Sequence, residues 1–253
     1  MFKKGDLQGQ TIVFSSLPKS NEPFKLVEGL GGKVACFPLI RITESTTQDK
    51  EYISRLSSYD WLIFTSQNAV DMFDEKLKRC GMSIRELSLK VAAVGTKTAS
   101  ALEGIGLHVS FIPTIYSAET FVEEFPIHLK PTDRCLFLKG SLAKKTIKDG
   151  LKHVDEWTVY ETKPNVINTE VFAAYLKDNP SVFVTFASPS AVRVFSQHVS
   201  SQVNLPTLKF AAIGDITANS LKVHDLPVHV QAKPYTYLAL IDEIAKWKDV
   251  ESK

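Results

Sequence analysis

The sequence predicts a parallel α/β protein of two lobes, and three observations carry that reading. Short apolar runs alternate with helical patterns along the whole chain, as β-α-β units require and as a sandwich or bundle does not. About ten such runs occur in 253 residues, too many for one small parallel sheet. The sequence also repeats itself at a nearly fixed interval, so the runs divide between two copies of one fold.

Taken in order, strands are predicted over 11–15, 33–37, 61–65, 91–94, 108–111, 134–138, 156–160, 182–186, 210–213 and 227–230. The pieces 11–37 and 134–160 each read as strand, helix, strand. The stretch Phe64-Thr65-Ser66-Gln67-Asn68-Ala69-Val70 matches Phe186-Ala187-Ser188-Pro189-Ser190-Ala191-Val192, 122 positions on, and both end an apolar strand and open a helix. Ala92-Ala93-Val94-Gly95-Thr96-Lys97-Thr98-Ala99 likewise matches Ala211-Ala212-Ile213-Gly214-Asp215-Ile216-Thr217-Ala218, and Tyr116-Ser117 matches Tyr235-Thr236 before amphipathic helices, both 119 positions on. Three matches in one order, each at a strand-to-helix turn, describe two copies.

The second copy lacks its first two strands unless they come from the N-terminus. The topology expected is one lobe from residues 1–39 plus 165–253, with the other, 44–160, inserted in it as a permuted copy. Crossings at 40–43 and 161–164 would pair as a two-stranded hinge, and relative motion of the lobes is then expected.

Composition narrows the function. An apolar content of 44% supports a substantial core. The formal charge is only +2 and no block of like charge occurs, which argues against nucleic acid as a partner. The first ten residues lack the apolar core of a signal peptide and no segment is apolar enough to span a bilayer, so a cytoplasmic protein without a membrane partner is expected. Cys36, Cys80 and Cys135 are odd in number and far apart, and buried free thiols are expected rather than a disulfide framework or a zinc site.

In open α/β sheets ligands bind beyond the carboxyl ends of the strands, where the next helix presents unpaired N–H groups and the positive end of its dipole. The repeated turns occupy such places. Ser66, Asn68, Ser188 and Ser190 either cap their helices or reach a ligand, and Gly95 and Gly214 permit a sharp turn after a strand. The hydroxyls of Thr96, Thr98, Thr217 and Thr236 carry the same two alternatives. Backbone donors at these turns suit an anionic ligand with many carboxylates. No phosphate-binding glycine loop, nucleophile-elbow serine, HExxH motif or metal-spaced cysteine pair is present, so any reaction must need little side-chain machinery.

These features together resemble the uroporphyrinogen-III synthase family. The residues that carry the resemblance are Leu62 to Val70, Val94-Gly95-Thr96-Lys97-Thr98-Ala99, Phe137-Leu138-Lys139-Gly140, Val159-Tyr160-Glu161-Thr162 and Ile213 to Ala218, spread in order over nearly the whole chain. The resemblance implies two flavodoxin-like lobes, a monomer and no metal or organic cofactor. It implies a hydro-lyase that closes hydroxymethylbilane, a linear tetrapyrrole with eight carboxylates, into uroporphyrinogen III, with ring D inverted and water lost, on the way to haem and sirohaem. In that scheme loss of hydroxide from ring A gives an azafulvene, attack at the substituted carbon of ring D gives a spiro-pyrrolenine, and fragmentation and reclosure leave ring D inverted. Transient contact with hydroxymethylbilane synthase, which supplies the substrate, is also implied.

Residue by residue, Tyr160 matches the family's tyrosine on the strand into the hinge, where its phenol would assist departure of the hydroxyl; packing against the hinge is its other reading. Thr217, Ser66 and Ser188 match positions that contact the macrocycle or its carboxylates; Asn68, Ser190 and Gly214 share their turns, Gly95 and Thr96 lie on the repeat of the Thr217 turn, and Lys139 follows the sixth strand. Two departures concern charge: Ser15-Ser16-Leu17-Pro18 and Lys139 stand where the family often has arginine, and a lysine cannot form the bidentate fork. Lys97, Lys144 and Lys163 would serve remaining carboxylates or remain solvated. The rival reading is a two-lobed small-ligand-binding or regulatory module without catalysis.

Overall fold

The structure is a computed structural model and describes residues 7–83 and 89–251. In chain order it begins with β1 (Thr11–Phe14), α1 (Glu22–Gly29), β2 (Lys33–Cys36), β3 (Ile40–Glu44) and α2 (Asp49–Ser54). Next come β4 (Trp61–Phe64), α3 (Gln67–Arg79), β5 (Lys90–Ala93), α4 (Thr96–Gly104), β6 (Val109–Phe111) and α5 (Ala118–Glu124). Then follow β7 (Cys135–Gly140), α6 (Thr146–Gly150), β8 (Val154–Pro164), α7 (Val166–Asp178) and β9 (Phe183–Phe186). The chain closes with α8 (Pro189–His198), β10 (Lys209–Ala212), α9 (Asp215–Val223), β11 (Val230–Gln231) and α10 (Tyr237–Glu251).

Two compact units result, one running to Arg41 and resuming at Lys163, the other from Ile42 to Thr162. The first holds a five-stranded sheet ordered β2-β1-β9-β10-β11, parallel throughout. The second holds β3-β8-β7-β4-β5-β6, with every pair from β8 to β6 parallel. Numbered within each unit from β1 and from β7, both five-stranded sets follow the flavodoxin-like order 2-1-3-4-5. Corresponding strands lie 119–124 positions apart. The chain is therefore two tandem repeats whose last three strands are exchanged: β1 and β2 pair with β9, β10 and β11, while β7 and β8 pair with β4, β5 and β6.

Central strands read as unbroken apolar runs because helices cover both faces of a parallel sheet. Trp-Leu-Ile-Phe of β4 and Phe-Val-Thr-Phe of β9 are buried throughout. Alternate side chains enter opposite cores, as the period of two requires. In the first unit Val13, Val184 and Phe186 join Phe172, Phe195 and Leu221 on one face, and Ile12, Phe14 and Phe183 join Val27, Leu240 and Ile244 on the other. In the second, Leu62, Phe64 and Leu138 pack with Phe73, Leu77 and Trp157, and Trp61, Ile63 and Phe137 pack with Phe121 and Phe125. Burying each such side chain contributes about 1.5–3 kcal/mol.

The pairing expected of the crossings at 40–43 and 161–164 is present, as strand β3 beside β8 in the six-stranded sheet. Three expectations change. Strand pairing on both sides extends β8 from the expected 156–160 to Val154–Pro164. The last strand shortens from 227–230 to Val230–Gln231, because it is an edge and Pro227 has no N–H to give the ladder. The three cysteines are free, but the expected burial holds only in part: Cys135 is buried, Cys36 half-buried and Cys80, at the end of α3, exposed. Burial, reinforced by the nearby Asp133 and Asp60, pushes the Cys135 thiol up to about 12. Among the described residues no helix is long and apolar enough to cross a membrane.

Candidate functional site

The turns at the carboxyl ends of the strands gather the predicted residues into two similar sets, one in each unit. In the second unit, Ser66 follows β4 in extended conformation and caps α3, its Oγ accepting the Ala69 N–H at 3.2 Å. Asn68 lies in the first turn of that helix, half-buried. The same Ser66 Oγ lies 3.1 Å from the Tyr160 hydroxyl. Tyr160 reaches it because the pairing of β7 with β8 slips between Lys139 and Gly140, which places Tyr160 opposite Gly140. Its ring lies where a side chain at 140 would be: a Cβ there would stand 2.4–2.6 Å from ring carbons and hydroxyl, so only glycine admits this placement. A hydrogen bond of 2.9 Å from the Ser141 N–H to the Tyr160 carbonyl fixes the backbone.

Lys139 is largely buried and already paired, its Nζ 2.8 Å from Glu156 Oε1. Thr96, the first residue of α4, is exposed, while Thr98 is 5% exposed. Lys97, Lys144 and Lys163 are exposed. After β6, the Thr114 N–H and hydroxyl both donate to the Glu124 carboxylate, and Ser117 caps α5 through the Thr120 N–H at 3.0 Å. These donors hold the Glu124 carboxyl below its ordinary range. Tyr116 stands between these anchors, 60% exposed.

The first unit repeats the frame with different chemistry. Ser188 caps α8 through the Ala191 N–H at 3.3 Å, and its Oγ meets Ser190 Oγ at 3.0 Å. Gly214 precedes α9 with φ 178° and ψ 177°, and Gly95 precedes α4 with φ −147° and ψ 158°. Both are extended backbone open to any residue, so the turn itself does not require glycine. At Gly214 the reason is a close neighbour: a Cβ would lie 3.0–3.4 Å from the Tyr235 ring. Asp215 opens α9 and accepts hydrogen bonds from the Tyr235 hydroxyl and from Gln231 Nε2, the latter at 2.5 Å, and these donors hold its carboxyl below the ordinary range. Thr217 is 3% exposed. Thr236 caps α10 through the Ala239 N–H at 3.1 Å.

Tyr116 and Tyr235 mark the repeat in sequence but become site residues only once their rings are seen at the strand ends, beside Gly95 and Gly214. Exposed apolar side chains collect on the same turns: Leu17 and Ile216 in the first unit, Ile115 and Leu142 in the second. Each set thus combines helix N-termini, hydroxyls and open apolar faces, which suits a ligand that is apolar in its rings and anionic at its edges. Among the described residues no group of three or more His, Cys, Asp and Glu side chains is gathered as a metal ion requires.

Comparison with known proteins agrees with this geometry. The family model described as uroporphyrinogen-III synthase HemD matches residues 24–242. Uroporphyrinogen-III synthase of Synechococcus elongatus is 28% identical over 95% of this chain and 96% of its own length. A putative uroporphyrinogen-III synthase of Methanothermobacter thermautotrophicus is 28% identical over 90% and 94% respectively. The crystal structure of a mutant uroporphyrinogen III synthase from Thermus thermophilus shares the fold, with a TM-score of 0.72 at 15% identity, covering 97% of this chain and 100% of that one. The match of a family model over most of the chain, on a duplicated 2-1-3-4-5 sheet, places this chain in the uroporphyrinogen-III synthase HemD family.

Proposed function

We propose that this member of the family closes hydroxymethylbilane to uroporphyrinogen III with inversion of ring D and loss of water, as a hydro-lyase whose acid is Tyr160. Family membership supports an enzyme of tetrapyrrole synthesis over a silent binding module. The observation that carries the catalytic reading is the Tyr160 phenol, seated on Gly140 with its hydroxyl at the N-terminus of α3.

In this reading the phenol gives its proton to the departing hydroxyl of ring A, so that water leaves and the azafulvene forms. Attack through the substituted carbon of ring D gives the spiro intermediate, fragmentation breaks the bond from that carbon to the bridge of ring C, and the bridge recloses on the unsubstituted α-carbon of ring D, whose proton returns to the phenolate as the pyrroles regain aromaticity with ring D inverted. The bilane also closes spontaneously without inversion, so holding rings A and D in the inverting geometry is the second task, and positioning of this kind is an adequate source of rate and selectivity. Ser66, Asn68, Gly95, Thr96, Ser188, Ser190, Gly214 and Thr217 bracket the N–H groups that would take the carboxylates, and the rings of Tyr116 and Tyr235 offer faces for pyrroles. Lys139 would reach a carboxylate only by leaving Glu156. A cytoplasmic monomer in transient contact with hydroxymethylbilane synthase belongs to the same proposal.

The test generates hydroxymethylbilane in situ with its synthase, adds this protein, oxidises the products and separates type I from type III uroporphyrin. Type III in proportion to added protein is the expected result. Type I alone from folded protein would remove the synthase reading and leave the binding module.

A further inference from the structure

The Tyr160 hydroxyl has one protein partner among the described contacts, Ser66 Oγ, and either oxygen of that pair can donate. The Ser66 oxygen accepts the Ala69 N–H as the cap of α3. A serine hydroxyl has one proton to give, and the phenol oxygen 3.1 Å away is positioned to take it. We infer that Ser66 is the positioning residue of Tyr160: it donates to the phenol oxygen, which leaves the phenol's own proton directed at substrate and stabilises the phenolate as that proton departs.

Two features reinforce this order. A hydrogen bond to an oxygen gaining negative charge strengthens as the charge develops, and the N-terminus of α3, polarised positive, lies behind the serine. The ring cannot swing away toward β7, because it rests on the α-carbon of Gly140. Ser188, at the same place in the first unit, meets Ser190 rather than a phenol, so this relay belongs to the second unit alone. The inference rests on the acid role proposed for Tyr160.

The experiment compares Ser66→Ala and Ser66→Thr, each alone and with Tyr160→Phe, by steady-state kinetics and denaturant unfolding. Ser66→Ala should lower kcat about 10–100-fold, the worth of one hydrogen bond to a charging group, with KM little changed, and Ser66→Thr should restore most of it. On the Tyr160→Phe background Ser66→Ala should lower kcat several-fold less than on the wild-type background while costing the same stability. An equal kcat loss on both backgrounds would overturn the relay, since Ser66 would then act through its helix or through substrate. Wild-type turnover in Tyr160→Phe itself would instead remove the acid role, and the relay with it.

Discussion

The two units share a sheet order, a helix cap and a strand-end turn, yet they differ at the atom that matters. Ser66 and Ser188 occupy matching caps 122 positions apart, and each accepts the N–H three residues on. The second partner of Ser66 is a phenol from a neighbouring strand, whereas that of Ser188 is a serine from its own helix. The difference originates in the strands beside them. β8 runs for eleven residues and slips register opposite Gly140; β2 stops after four, and Phe37 next to it is stacked on Phe172, 5.2 Å between centroids. A duplicated fold thus keeps its capping chemistry and, through the length and register of one strand, brings a phenol to one cap and not to the other.

A second contrast concerns stability. Lys76 in α3 is fully buried, with Nζ 2.7 Å from Glu44 Oε1, 2.7 Å from the Ser45 carbonyl and 2.6 Å from Asp49 Oδ2. His198, 122 positions later in α8, is exposed. Only the second unit has β3 and α2 to hold, and the ammonium ties the end of one to the start of the other.

Variants put these contrasts to the test. The largest effect is expected of Tyr160→Phe, with kcat reduced about 10²–10⁴-fold and far-ultraviolet dichroism unchanged; full turnover would erase the functional difference between the units. Lys76→Met should cost about 3–5 kcal/mol in urea unfolding, because Asp49 loses its cation and Glu44 keeps only Arg79, whereas His198→Met should stay within about 0.5 kcal/mol. Gly140→Ala should displace the Tyr160 ring and cost about 1–3 kcal/mol together with much of the turnover. Gly214→Ala, whose Cβ would meet the Tyr235 ring at 3.0 Å or more, should cost less, as thermal melts of the pair will show.

The acid limb of stability offers a further check. Hydrogen bonds from Arg79 foremost, and the attraction of Lys76, hold the Glu44 carboxyl down at about 2 against the cost of burial. A depressed carboxyl stabilises the fold above its unfolded value and loses that contribution as pH falls through the folded one. Stability should therefore decline from about pH 4.5 toward pH 2, and Glu44→Gln should flatten that decline in unfolding measured across the range. A modest effect is expected of Ser188→Ala, about 1 kcal/mol for a lost cap. Ser66→Ala should match it in stability and differ from it in turnover.

Much of this was legible in the residues. Alternating apolar runs and three matched turns specify a duplicated α/β chain, because burial on both faces of a parallel sheet forces each strand to be apolar and each strand-to-helix turn to carry a cap. The cap serines could be named for the same reason, since they sit at fixed offsets from those runs, whereas Tyr160 was named through the family resemblance alone. Tyr116 and Tyr235 appeared only as marks of repetition, for nothing local says that a ring stands open beside a glycine. The internal pairing of Lys139 with Glu156 was equally invisible, as it depends on which residue of β8 lies opposite.

Short-range patterns of apolarity and capping are enough to set the ten principal strands, their grouping into two copies and the chemistry available at each turn. Long-range pairing sets the rest: the full length of β8, the partner of Lys139 and the register slip that lays Tyr160 on Gly140 against Ser66. Those features depend on hydrogen bonds between strands distant in the chain, and a period of two records which face a side chain takes but not which neighbour it meets.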